Sequence, residues 1–412
     1  MLQSKYFVKT SKTAPADADS VNAQLLTRGG FVAQQMAGVY NFLPLGLRVL
    51  TKIQNIIREE MNALGAHEML MPALTQKEAY EATGRDNLDI LFNVQGQNDA
   101  QYVLNLSHEE VITPLMQKHV FSYRDLPVAV YQIQNKFRNE PRAKSGILRG
   151  REFNMKDMYS FHTSEKNLDG FYDKVKQAYF KIYDRLHLGD RTFLTYASGG
   201  SFSKYSHEFQ TLCDVGEDTI HLCDKCRVAV NKEIIKEQKQ CPECGNEKLK
   251  EHRAIEVGNI FRLGTRFSEA FDFSYTDEND DAHPVVMASY GLGPSRAMGT
   301  LVEIFHDDKG IIWPENVAPF AVHLVGIDLD TKDVAQHAHN VYNLIQKKGV
   351  DVFFDDREDA SPGEKLANAD LIGIPLRLVV SKRTKDKVEV KRRDQKDTNL
   401  MSDAEVVRLV SA

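Results

Sequence analysis

Residues 128–162 read VAVYQIQNKFRNEPRAKSGILRGREFNMKDMYSFH. Two strand-like runs, VAVYQIQNKFRNE and ILRGREFNMKDMYSF, enclose a short polar turn. Four arginines, Arg138, Arg142, Arg149 and Arg151, crowd around one acid, Glu140. That is more cation than a solvated turn of this length needs. Guanidinium forks match phosphate oxygens bidentately, so such a strand–loop–strand suits the grip of a triphosphate. The same density also fits an exposed basic hairpin.

Working outward, HEMLMPAL and QYVLNLS on the N-terminal side are also strand-like, the first interrupted by Pro72, which cannot donate to a ladder and belongs at an edge or interface. Before them, LPLGLRVLTKIQNIIREEMNALG places Val49, Leu50, Ile53, Ile56, Ile57, Met61 and Leu64 on one helical face, with Gly65 placed to end the helix. After the hairpin, LDGFYDKVKQAYFKIYDRL reads as an amphipathic helix. Many strands with few crossover helices predict an antiparallel sheet with helices packed on it, rather than a doubly wound parallel fold. From about Val317 the texture changes to βαβαβ: AVHLVGI, DVAQHAHNVYNLIQKKG, VDVFFDD, GEKLANADLIG and PLRLVVS. The linker is expected around Trp313–Asn316. The last helix opens on Ser402-Asp403-Ala404-Glu405, a capping box.

The 412 residues carry 52 Lys and Arg against 58 Asp and Glu, a net charge of −6. Such a balance excludes a generic polyanion binder, and any RNA contact has to come from local basic patches. One such patch is Lys382–Lys396, with eight cations against three acids, which also reads as a charged hairpin face. No apolar run approaches the ~20 residues of a membrane helix, and the first twenty residues show no export pattern, so a cytoplasmic protein without membrane association is expected. All five cysteines fall between Cys213 and Cys244. Four of them, Cys223, Cys226, Cys241 and Cys244, form paired C-x-x-C knuckles, a spacing that predicts a closed, structural zinc site over four free buried thiols. Cys213 stands outside the pattern as a packed thiol.

A further arginine, Arg296, ends Met287-Ala288-Ser289-Tyr290-Gly291-Leu292-Gly293-Pro294-Ser295-Arg296, ahead of a helical run. The glycines permit close backbone approach and the helix start favours phosphate, yet the spacing is neither GxGxxG nor a P-loop. FRNE with RGREF, and GLGPSR at a distance, resemble motifs 1 to 3 of class II aminoacyl-tRNA synthetases once the long helix and the Pro72 strand are added. The text is similar, more narrowly, to the bacterial-type prolyl-tRNA synthetase family: SHEEVIT, YQIQNKFRNE, GREFNMKDMYSFH, SHEF, GEDTI, AIEVGNIFRLGTRFSEAF, YGLGPSR, GIIWP and DDREDASPGEKLANADLIGIPLR. The likeness covers nearly the whole chain.

The resemblance implies an α+β catalytic domain on an antiparallel sheet over residues 1–215 and 252–315. It also implies a four-cysteine zinc-ribbon-like insertion at 216–251 and an anticodon-binding α/β domain at 316–412. It implies ATP-dependent ligation of L-proline to tRNA(Pro) through prolyl-adenylate, with Mg2+, in a homodimer built on the motif 1 helix and the Pro72 strand. Carried over position by position, it makes Arg138, Glu140 and Arg296 catalytic. Glu140 would accept from the adenine amino group and Phe153 would stack on the ring. Arg149 or Arg151 would join Arg296 on the outgoing phosphates, with Glu208 and Gln210 beside the ATP. Ser107 and Glu109 would receive the proline nitrogen, in a pocket completed by Arg138, Met155, Asp157, Tyr159, Ser289 and Gly291. Arg142 would touch the tRNA acceptor end. Ser107 stands for the family's threonine, Asn259 for a common histidine, and Ala288-Ser289 for Gly-Cys. Many members insert an editing domain between motifs 2 and 3. Here Phe161 and Met287 are only 126 residues apart, so proofreading by a separate protein is expected. The rivals are a class II synthetase for threonine or serine and a non-catalytic tRNA-binding paralogue.

Overall fold

The alternation read in residues 128–162 is realised as two long antiparallel strands at the heart of a nine-stranded sheet. In chain order its strands are β1 (His67–Glu68), β2 (Val128–Phe137), β3 (Glu152–His162), β4 (Thr192–Ser198), β5 (Tyr205–Leu212), β6 (Asp218–Cys223), β7 (Val228–Asn231), β8 (Leu249–Gly264) and β9 (Val286–Leu292). The computed structural model describes residues 1–411 except Ser201 and Ser203; Ala412, the final residue of the expected C-terminal domain, lies outside the described residues. The sheet order is β5-β4-β7-β6-β8-β9-β3-β2-β1, and β8 also pairs with β5, so the β4–β8 strands close on themselves. Only β4–β7 and β1–β2 run parallel among these pairs.

Helix α1 (Pro44–Ala63) buries Val49, Leu50, Ile53, Ile56, Ile57 and Met61 as their spacing predicts, whereas Leu64, expected on the same face, falls just past the helix end and is half-buried. Gly65 follows it at φ +78°, a left-handed conformation that favours glycine. Helix α2 (Glu109–Met116) sits next to β2 and β3, while α3 (Glu165–Arg185) sinks Tyr172, Tyr179 and Tyr183 against the sheet. Helix α4 (Pro294–Ile304) follows β9. The HEMLMPAL stretch is not one strand. His67–Glu68 pairs with β2, whereas Leu74–Gln76 joins a separate three-stranded sheet with Phe92–Gln95 and Gln101–Leu104. Pro72 falls in the break, where its carbonyl accepts from Asn105 Nδ2 at 2.9 Å and faces His108 Nε2 at 3.0 Å. The cysteine segment is woven into the large sheet rather than hung from it: β6 and β7 are both sheet members, and Ile220, Leu222 and Ala229 share a core with Phe193 and Ala254.

The chain packs as two compact units, residues 36–39 with 53–300, and residues 1–35 and 40–52 with 301–412. The second contains the alternating C-terminal part: β10 (Val322–Gly326), α5 (Lys332–Gln346), β11 (Val352–Asp355), α6 (Pro362–Ile372), β12 (Leu376–Val380), β13 (Val388–Arg392), β14 (Asn399–Met401) and α7 (Asp403–Ser411). Its sheet order is β11-β10-β12-β13-β14, parallel through the first three and antiparallel in the last two. The basic run Lys382–Lys396 forms β13 and its flanks. The capping box is present: Ser402 N–H donates to Glu405 Oε2 at 2.8 Å and Glu405 N–H to Ser402 Oγ at 3.4 Å. Among the described residues no helix is long and apolar enough to cross a membrane.

Candidate active site

Strand register brings distant motifs into one row. Gln132 lies opposite Asp157, Asp157 opposite Gly291, Gly291 opposite Asn259, and Asn259 opposite Glu208, five strands in succession. Because side chains alternate along a strand, Met155, Asp157 and Tyr159 share one face of β3. Gly291 keeps that face open, since a Cβ there would stand 2.8 Å from Asn259 Oδ1.

Two cavities open along this row, of about 200 and 250 Å³, far above the ~10–15 Å³ that one water needs. The first is walled by Arg138, Glu140, Arg149, Glu217, Asp218, Glu256 and Arg296. The second is walled by Arg85, Leu106, Phe202, Asn259, Phe261 and, again, Arg138. Arg138 leaves the end of β2 with its backbone N–H on Arg151 O at 2.8 Å and its guanidinium 5.1 Å over the Phe153 ring. Its Nε is buried without a partner among the described residues. Burial first, then the neighbouring Arg296 charge, pull its pKa below the ordinary arginine value.

Arg149 and Arg296 are each held by a carboxylate. Arg149 donates to Glu140 Oε2 at 2.8 Å and Glu217 Oε2 at 2.9 Å. Arg296 donates to Glu256 O at 2.8 Å, Glu256 Oε2 at 3.1 Å and Leu148 O at 3.0 Å. Arg151 instead donates to the carbonyls of Glu140 and Ala37, at 3.0 and 3.1 Å, and does not line the first cavity. Arg142 is exposed on the loop. Beside the cavity, Gln210 Nε2 bridges Glu208 Oε2 at 2.8 Å and Asp218 Oδ2 at 2.7 Å, and Asn259 Nδ2 donates to Glu256 Oε1 at 2.8 Å. Burial, then the Glu256 charge, push the Glu208 carboxyl well above the usual carboxylate range.

Behind Arg85 and Leu106 of the second cavity's wall, and not themselves part of that wall, Ser107, Glu109, Asp157 and Tyr159 belong to a buried polar network. Asp157 pairs with Lys136 at 2.7 Å and accepts from Gln132 Nε2 at 3.0 Å and Tyr159 Oη at 2.8 Å. Tyr159 Oη in turn accepts the His108 backbone N–H at 3.0 Å, which anchors the Ser107–Glu109 turn ahead of α2. Burial, then Lys136, lower the His108 ring to about 4, so it is neutral and donates from Nε2 to the Pro72 carbonyl. Ser107, Glu109 and Ser289 are buried nearby, and Met155 is half-buried. Sequence reading missed Arg85, Lys136 and Glu256. Lys136 and Glu256 each stand in a quoted motif, so proximity to the motif was their signal; Arg85 had none.

The four sulfurs of Cys223, Cys226, Cys241 and Cys244 lie within 4.8 Å of one another, with Cys223–Cys226 and Cys223–Cys244 at 3.7 Å, Cys226–Cys241 at 3.3 Å and Cys226–Cys244 at 3.1 Å. Four thiolates bound at ~2.3 Å in a tetrahedron would sit about 3.8 Å apart, so four converging thiols at 3.1–3.7 Å need only a small outward shift to hold zinc.

A nine-stranded, largely antiparallel sheet with an arginine hairpin facing two adjoining cavities defines a class II aminoacyl-tRNA synthetase core, and a family model described as tRNA synthetase class II core domain (G, H, P, S and T) matches residues 92–305. A second, described as anticodon binding domain, matches residues 317–412. A protein named proline–tRNA ligase from Dehalococcoides mccartyi is 33% identical over 97% of this chain and 97% of its own length. Another of that name from Bacillus cytotoxicus is 32% identical over 95% and 96%. The chain belongs to the proline–tRNA ligase family. The fold also matches prolyl-tRNA synthetase of Cryptosporidium parvum, solved with halofuginone and AMPPNP and with L-proline and AMP. The TM-scores are 0.77 and 0.76 at 20% identity, covering 94% of this chain and 75% and 73% of those chains. The alignment with the D. mccartyi relative runs 553 positions against the 412 residues here, so at least 141 positions of that relative have no counterpart in this chain.

Proposed function

We propose that the chain condenses L-proline with ATP to prolyl-adenylate and pyrophosphate, then transfers the prolyl group to the terminal ribose of tRNA(Pro), releasing AMP. One observation carries this: Arg138 is a wall of both cavities. The proline carboxylate in one cavity attacks the α-phosphorus of ATP in the other, and a guanidinium at the junction meets the charge that builds there. Arg149 and Arg296 then exchange their carboxylate partners for the departing phosphates. Arg151 braces the loop. Glu140 and Phe153 take the adenine, as the family resemblance implies. Ser107, Glu109, Ser289 and Gly291 face the proline, while Asp157 and Tyr159 act on it through the turn they hold. No activated nucleophile is needed, because positioning and charge supply the rate.

Asp218 and Glu256 wall the first cavity, with Glu208 joined to Asp218 through Gln210, and a Mg2+ arriving with the ATP would find its carboxylate ligands among them and neutralise phosphate charge. The cysteine set would hold a structural zinc. Residues 1–215 with 252–315 serve catalysis, 216–251 the zinc and 316–412 the anticodon, with Arg142 at the acceptor end. Leu70 and Leu74, 75% and 44% exposed in the motif 1 stretch, support a homodimer seam. A cytoplasmic location suits the tRNA substrate. Between Phe161 and Met287 the described elements leave no room for an editing domain, so a separate protein would remove alanine from mischarged tRNA. The test is pyrophosphate exchange with proline, threonine and serine in parallel. Exchange with proline alone is expected, and exchange with threonine or serine alone refutes the proposal.

A further inference from the structure

Arg85 follows Gly84 after the short helix Lys77–Ala82 and is 1% exposed. Its guanidinium donates from one nitrogen to Ser107 Oγ at 3.0 Å. From another it donates to Glu110 Oε1 at 2.8 Å and Oε2 at 3.1 Å, and to Glu109 Oε2 at 3.3 Å. It lies over the Phe202 ring at 4.6 Å and walls the second cavity. Its Nε is buried and has no partner among the described residues.

The cluster holds one guanidinium against two carboxylates with almost no access to water, and a further cation within reach of Glu109, Lys136, is already paired with Asp157. The shorter contacts go to Glu110, which also accepts Thr83 Oγ1 at 2.8 Å. Glu109 is 2% exposed, and among the described residues its carboxylate has the 3.3 Å contact to Arg85 as its side-chain partner. An under-compensated buried carboxylate is costly unless a cation reaches it. The amino group of an amino-acid substrate is such a cation.

We infer that Arg85 is a positioning residue for amino-acid binding: by bridging Glu110 and Glu109 and pinning the Ser107 hydroxyl, it fixes the Ser107–Glu109 turn so that Glu109, which has only a share of one guanidinium, is held ready for the secondary ammonium of proline. The inference rests on the proposed ligation activity and deepens it. The planar fork is what lets one side chain reach oxygens of three residues at once; a lysine ammonium is a point charge on a flexible stem.

The test compares Arg85→Lys with the double variant Arg85→Gln/Glu110→Gln in proline-dependent pyrophosphate exchange. The double variant keeps the net charge of the cluster and leaves no buried unpaired Glu110, and thermal melting checks that each variant is folded. In both, the proline KM should rise at least tenfold while the ATP KM stays within about twofold. A proline KM raised less than tenfold over the unmodified chain in a folded variant, or an ATP KM that rises more than twofold with it, overturns the inference and leaves Arg85 a structural ion pair. Absence of proline-dependent exchange in the unmodified chain overturns the ligation reading itself, and is measured first.

Discussion

Arg138→Ala should slow adenylate formation by about 10²–10³-fold while leaving the fold intact. The guanidinium walls both cavities, and its Nε is buried without a partner among the described residues, so bound substrates that fill the cavities would leave it little water to screen it. A preorganised donor in such a site, aimed at charge that develops in the transition state, contributes roughly 3–4 kcal/mol. At about 1.4 kcal/mol per tenfold, that is the stated loss in rate. Arg149 provides the internal comparison. Its side chain is 44% exposed and already shared between Glu140 and Glu217, so Arg149→Ala should cost no more than about tenfold, in line with an exposed ion pair worth ~1 kcal/mol. The assay is single-turnover adenylate formation at saturating proline and ATP, with circular dichroism to confirm folding. A folded Arg138→Ala protein within tenfold of the unmodified rate refutes the reasoning. So does a loss confined to the KM of one substrate, because a residue at the junction acts on both.

Zinc should co-purify at about one per chain, and Cys226→Ser should abolish it; elemental analysis that finds no zinc in chelator-free protein refutes the site. Because β6 and β7 belong to the large sheet, chelation should raise amide exchange in residues 223–248 first and then in β4 and β8. The Asp307 carboxyl is held down to about 2, chiefly by hydrogen bonds from Arg393 at 2.5 and 2.8 Å. Its folded pKa is depressed, so this contribution to stability is full above about pH 4 and lost as the pH falls toward 2. Asp307→Asn should therefore lower Tm at pH 6 and leave it nearly unchanged at pH 2, and equal shifts at both refute it. Pre-formed alanyl-tRNA(Pro) should deacylate no faster with the chain than in buffer, while alanyl-adenylate forms measurably, since a pocket fitted to a ring loses only ~1–3 kcal/mol per missing methylene. Hydrolysis above the buffer control refutes that expectation.

The features legible in the sequence are those carried by neighbours along the chain. The Arg138–Arg151 hairpin, the two C-x-x-C pairs, the βαβαβ alternation after Val317 and the Ser402–Glu405 cap all depend on spacings that backbone geometry converts directly into structure. The likeness of the motifs to a family added the roles, and the row Asp157–Gly291–Asn259–Glu208 shows how those motifs meet. Tertiary structure decided which charges face one another. It placed Arg149 on the cavity and Arg151 on backbone carbonyls, gave Asp157 to Lys136, and brought Arg85 to Ser107, Glu109 and Glu110. An ion pair is settled by separations of 3–4 Å between residues that can be a hundred positions apart, and a shift of one residue in register turns a side chain to the other face of the sheet. Charge type is written in the sequence, but compensation of charge is a property of the packed sheet, and it is compensation that separates a wall residue from a working one.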